Sequence, residues 1–103
     1  MIHVLAIITA KPGEREAVLT AFRANMPAVH AEDGCILYEP VVDAANAGPV
    51  QTPIGPDSFC VIEQWESMAA LHAHGASAHM KAYGAKVKEH LTSRVVHVLT
   101  SAG

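Results

Sequence analysis

Charge is what this chain has least of. Of its 103 residues, 17% are Asp, Glu, Lys or Arg; the net charge is -3 at pH 7, and 50% of the residues are hydrophobic. Such a balance offers little grip to nucleic acid or an anionic membrane surface, so neither is expected as a partner. A surface so poor in charge also implies that some apolar area is buried against a second subunit. Cysteine is scarce as well. Cys35 and Cys60 stand alone, without CxxC spacing or a neighbouring base, and read as reduced thiols inside strands of a cytoplasmic protein. No apolar run is long enough to cross a membrane, and the opening MIHVLAIITA lacks a basic leader and stops at Lys11-Pro12-Gly13. GxGxxG, P-loop and GxSxG signatures are missing, which leaves no sign of a dinucleotide, a phosphate cradle or a serine nucleophile. The chain has 7 histidines, yet no HxxxH pair or HExxH motif, so their spacing does not point to a metal.

What is present is an alternation of two periods. Ile2 to Thr9 is β-branched and aliphatic and predicts a first strand, ended by the Lys11-Pro12-Gly13 turn. From Glu14 the period becomes helical, with Val18, Leu19, Phe22 and Met26 on one stripe and Glu14 and Glu16 in the first turn. Pro27 predicts a kink or break near Met26 before the helix resumes to about Glu32. A second strand runs from Cys35 to Val42, and Asp43 to Pro56 reads as a long surface loop. Ser58 to Trp65 predicts a third strand. Ser67 caps a short helix that Gly75 should break, and Ser77 caps a longer one with Met80, Tyr83, Val87 and Leu91 as its apolar stripe. Arg94 to Thr100 closes the chain as a fourth strand. The order is βαββαβ over a single domain, residues 1–103. This is an α+β, ferredoxin-like arrangement with an antiparallel four-stranded sheet and helices on one face. The other face would be bare in a monomer, and a homodimer is expected.

The chemistry concentrates between Phe59 and Tyr83. Alternation puts Phe59, Val61, Glu63 and Trp65 on one strand face, so a carboxylate lies among apolar neighbours, where it is paired or harder to ionise. His79 and Tyr83 are four apart and share a helix face, while His74 sits just before Gly75 and can point to the same cavity. His72 lies about 200° from His74 around a helix and reads as a surface residue. An imidazole, a carboxylate and aromatic rings around a small apolar pocket are the parts of a proton-transfer site.

With these elements assembled, the chain resembles the antibiotic biosynthesis monooxygenase family, within the dimeric α/β-barrel group of ferredoxin-like folds. The matching features are Lys11-Pro12-Gly13, Glu32-x-Gly34-Cys35-x-x-Tyr38 and Glu63-x-Trp65-Glu66-Ser67. Leu71-x-Ala73-His74 and His79-Met80-x-Ala82-Tyr83 complete the pattern, which covers nearly the whole chain. The long loop and the Pro56-Asp57-Ser58 entry to the third strand are most similar to bacterial quinol monooxygenases, which oxidise hydroquinones such as menadiol without metal or prosthetic group. Haem-degrading members of the family carry an asparagine on the first strand and an iron-ligating histidine on the last long helix; here Ala6 and Gly84 occupy those places.

The resemblance implies a cofactor-independent oxidation of a hydroquinone or polyketide-like aromatic by O2. A phenol, with an ordinary pKa of about 10, must be deprotonated before it can reduce oxygen readily, and histidine suits that task. On this reading His74 or His79 is the base, Glu63 orients it, and Trp65, Tyr83, Tyr38 and Met80 hold the substrate ring. A non-catalytic dimer that binds a small apolar aromatic ligand would use the same residue types.

Overall fold

The computed structural model describes all residues, Met1–Gly103. Strand β1 (Ile2–Ala10) leads into helix α1 (Arg15–His30), followed by β2 (Cys35–Val41) and β3 (Ser58–Trp65). Helices α2 (Met68–Ala76) and α3 (Ala78–Val87), a single 3-10 turn (Lys88–His90) and β4 (Leu91–Leu99) complete the chain. The strands form one sheet in the order β2-β3-β1-β4, with every neighbouring pair antiparallel, which is the ferredoxin-like α+β architecture expected from the sequence.

Period-two alternation decides which face is core. Val4, Ala6, Ile8 and Ala10 of β1 are buried, as are Phe59, Val61, Glu63 and Trp65 of β3. The register sets Val4 opposite Glu63 and Ala6 opposite Val61, so these residues share the face on which the helices lie. Helix α1 adds Val18, Leu19, Ala21, Phe22 and Val29, and Phe22 stacks on Tyr38 with ring centroids 5.1 Å apart. The helices do not cover the whole sheet. No residue of β4 is buried, and Val96 and Val98 are 40% and 48% exposed on the helix side. The uncovered strip along β4 becomes one wall of the cleft described below. On the opposite face no helix packs at all, and Ile62, Val95 and Leu99 stand open to solvent.

Three boundaries differ from the sequence reading. Helix α1 runs through Pro27 without a break. Pro27 falls in the last turn, where the lost hydrogen bond leaves only the carbonyl of Arg23 unpaired, and that residue is exposed and can use water. The interruption between α2 and α3 is at Ser77, not Gly75. Ser77 is extended (φ -67°, ψ 149°), and its Oγ accepts from the backbone N–H of Met80 while donating to the carbonyl of His74 at 2.7 Å. Leu91 belongs to β4 rather than α3. The 3-10 turn ends the helix early, and His90 locks it to the start of α1 through Nδ1 and Glu14 Oε1 at 2.8 Å.

Within the 42–57 connection one side chain, Asp43, gathers three donors. Asp43 Oδ1 accepts from the backbone N–H of Ile54 (2.9 Å) and the amide of Gln51, and Oδ2 accepts from the N–H of Gly55 (3.0 Å). These donors hold the Asp43 carboxyl below its ordinary pKa. No residue of this loop borders the cleft.

Candidate active site

A cleft opens between the α2–α3 layer and the β1–β4 half of the sheet. It consists of two chambers of about 490 Å³ and about 400 Å³ that share His74, Gly75 and Arg94. Val4, Val96 and Val98 form the floor of the first, with Glu63 among them and Leu71 opposite. Ile8, Met80, Tyr83, Val87 and Leu91 line the second. The setting is apolar, with a few polar groups converging on it, as small-molecule sites usually are.

His74 is the most constrained side chain in the cleft. It is 7% exposed and lies 4.7 Å from Trp65 and 5.3 Å from Tyr38, centroid to centroid. Its Nδ1 donates to Glu32 Oε2 at 2.7 Å, and Ser77 Oγ and the Ser77 N–H both bind its backbone carbonyl. A carboxylate only accepts hydrogen bonds, so this pairing puts the hydrogen on Nδ1 and leaves Nε2 as the basic nitrogen. Nε2 has no protein partner and is not sealed from solvent. An imidazole oriented by a carboxylate behind it and open in front is the arrangement general bases use.

Glu32 reaches His74 because the turn after α1 presses onto α2. Gly34 makes this possible: its φ is +84°, and an added Cβ would lie 2.6 Å from the Cβ of Ala70. The Gly34 carbonyl also accepts from the N–H of Glu66 at 2.8 Å, so the turn is fixed to the entrance of α2. Glu32 is shared: its Oε1 accepts from His79 Nε2 at 2.7 Å. His79 therefore lies beyond Glu32, on the outer side of the helices, and borders neither chamber. Its Nδ1 is buried without a partner. Of the two histidines expected as alternatives for one role, the fold brings His74 to the cleft and sets His79 behind its carboxylate. His72, on the exposed side of α2, stands at the rim of the first chamber.

Glu63 makes no hydrogen bond to His74. Its Oε1 accepts from Trp65 Nε1 at 2.9 Å, and it lines the first chamber. Burial pushes the Glu63 carboxyl above its ordinary pKa, opposed by the Trp65 hydrogen bond and by His74 and Arg94 nearby. Burial thus makes its proton harder to lose than that of an ordinary glutamate. An acid raised in the fold contributes stability that is complete below its unfolded pKa, about 4.3, and is lost as the pH climbs through the higher folded value. Glu63→Gln keeps an acceptor for Trp65 and cannot ionise. Its thermal stability relative to the parent should therefore improve as the pH rises above about 4.3 and level off once the pH passes the raised folded value. Melting curves across that range check this, and a constant difference would contradict it.

The four residues expected to hold a ring divide into two pairs. Tyr83 and Met80 line the second chamber. Burial pushes the Tyr83 hydroxyl up to about 12, so it is a hydrogen-bond donor at neutral pH. Trp65 is 0% exposed and Tyr38 is 5% exposed, and both pack on His74 from the core side. Glu32 and Arg94 were not singled out in the sequence. Glu32 stood only within the Glu32-x-Gly34 motif, and Arg94 only as the start of a strand, although a charge in register with Val96 and Val98 on one face was a usable signal.

A ferredoxin-like sheet half-covered by helices, with a carboxylate-backed imidazole in the uncovered half, defines a small α+β protein with an apolar cleft lined by ionisable groups. Comparison with known proteins assigns it further: the chain belongs to the antibiotic biosynthesis monooxygenase family, which it matches over residues 1–86. It is 44% identical over 101 residues to the protein named "Probable quinol monooxygenase YgiN" of Escherichia coli (strain K12), covering 96% of each chain. Among solved structures, PA3566 from Pseudomonas aeruginosa superposes with a TM-score of 0.80 at 27% identity, over 99% of this chain and 94% of that one. Rv0793 from Mycobacterium tuberculosis does so with a TM-score of 0.80 at 28% identity, over 99% and 95%. No helix of the chain is long and apolar enough to cross a membrane.

Proposed function

We propose that the protein is a cofactor-independent quinol monooxygenase that works as a homodimer. The observation that carries this reading is His74 lining an apolar cleft, with its Nδ1 on Glu32 and its Nε2 without a protein partner. The E. coli relative, whose name refers to a quinol substrate, supports it. The reaction balances without an outside reductant: a hydroquinone with one free ring carbon plus O2 gives a hydroxyquinone plus water. The substrate supplies all the electrons, two from its hydroquinone oxidation level and two from the C–H bond that becomes C–O.

His74 Nε2 takes the phenolic proton, and Glu32 stabilises the imidazolium that forms. The phenolate passes one electron to O2; the semiquinone and superoxide then combine at the free ring carbon. The hydroperoxide so formed loses water to leave the hydroxyquinone. The proton that His74 took returns to the leaving oxygen, and Glu63 lines the chamber in which this happens. Tyr83, Met80 and Leu71 enclose the ring and keep water from the intermediates. Trp65, Tyr38 and His79 act through the groups they hold in place.

The homodimer reading rests on the uncovered sheet face, where Ile62, Val95 and Leu99 are 38%, 46% and 48% exposed. Sedimentation at micromolar concentration should give twice the chain mass of 10.9 kDa; a monomer would remove this part of the reading. The chemistry is tested with menadiol under ¹⁸O2. One ¹⁸O atom in a hydroxylated product supports it. Plain quinone with hydrogen peroxide means two-electron oxidation, and tight binding without oxygen consumption means a ligand-binding protein.

A further inference from the structure

The chain has 7 Lys and Arg against 10 Asp and Glu, yet 3 of those cations, Lys81, Lys88 and Arg94, line one chamber that contains no acidic residue. None of the three forms a salt bridge. Arg94 stands opposite Ile8 on the sheet and borders both chambers beside His74. The one acid nearby, Glu63, is engaged by Trp65 and lies in the neighbouring chamber. A neutral hydroquinone needs no such field. An unpaired guanidinium in an apolar wall is a ready bidentate partner for a carboxylate, and lysines at the rim steer an anion inward.

Building on the quinol reading above, we infer that the substrate is a hydroquinone carrying a carboxylate, and that Arg94 binds that carboxylate, with Lys81 and Lys88 contributing from the rim. The substituent fixes which ring edge faces His74. In consequence Arg94 sets substrate choice, whereas His74 sets the rate of the proton-transfer step.

The test compares two ligands that differ only in charge, 1,4-dihydroxy-2-naphthoate and its methyl ester, titrated anaerobically by calorimetry into the full chain. Without oxygen there is no turnover, so the result does not depend on whether the protein is a monooxygenase. The acid should bind about 10-fold or more tightly than the ester, a preference that shrinks as salt is added. Arg94→Gln should erase the preference while ester binding stays within about 2-fold, and Arg94→Lys should retain part of it. Because Arg94 is exposed, melting curves of both variants should match the parent. Equal binding of acid and ester by the parent would overturn the inference. So would an equal loss for both ligands in Arg94→Gln, which would assign the guanidinium to the ring oxygens instead. A clear acid preference with no oxygen uptake would keep this inference and sink the monooxygenase reading.

Discussion

His74→Ala is expected to lower quinol turnover by about 10²- to 10⁴-fold, the usual contribution of a positioned base, while the protein remains folded. The ring is held by Glu32, Trp65 and Tyr38, but α2 itself is capped by Ser67, and the core cluster that dominates stability does not include His74. The loss should fall on kcat, because the base acts in the transition state and not in binding. His79→Ala is the informative control. Its ring reaches the cleft only through Glu32, so it should lose far less than His74→Ala, and Glu32→Gln should fall between the two. Steady-state oxygen uptake on the three variants checks the ranking. If His79→Ala were the more damaged, the base would be misassigned.

Trp65→Ala should affect stability more than any other single change in this site. The ring is 0% exposed, packs on His74 and Tyr38, and gives Glu63 its hydrogen bond. Removing a buried tryptophan costs about 3–5 kcal/mol, out of a total that for small domains is about 5–15 kcal/mol. At about 4–8 °C per kcal/mol, the melting temperature should fall by at least about 12 °C. The KM of whatever folded protein remains should change little, because the ring is behind the base and not in the cleft. A stable variant with a raised KM would instead place Trp65 against substrate.

Both expectations depend on features that differ in how plainly the sequence displays them. The alternation of Phe59, Val61, Glu63 and Trp65 sufficed to put all four on the buried face, and the cap at Ser67 is local chemistry visible in six residues. The exit from α2 was less legible. Glycine is the weaker helix former, but Gly75 stays helical, because Ser77 offers a hydroxyl that ends one helix and starts the next. Pro27 looked like a break because its position relative to the end of α1 is a matter of one turn. The pairing of His74 with Glu32 was out of reach for another reason. The two are 42 residues apart, and their contact is created by the approach of Gly34 to Ala70, a tertiary event with no periodic trace. Glu63, nearer in sequence and on the right face, looked like the orienting group. It faces the cleft, but its hydrogen bond goes to its own strand neighbour.

Spacing alone cannot choose between His74 and His79. Both flank the break at Ser77, and both bind one carboxylate at 2.7 Å, so they are near-equivalent until the cleft is located. What separates them is the uncovered strip of β4, which opens on the side of His74.

The chain's own residues and the substrate should suffice for oxygen chemistry, with no metal or prosthetic group. The most direct measurement is oxygen uptake by the purified protein with menadiol, in the presence of a strong chelator and corrected for spontaneous autoxidation. Uptake proportional to protein, unaffected by the chelator and lost in His74→Ala is the expected result. Uptake that disappears with the chelator, or that persists undiminished without the His74 imidazole, would contradict it.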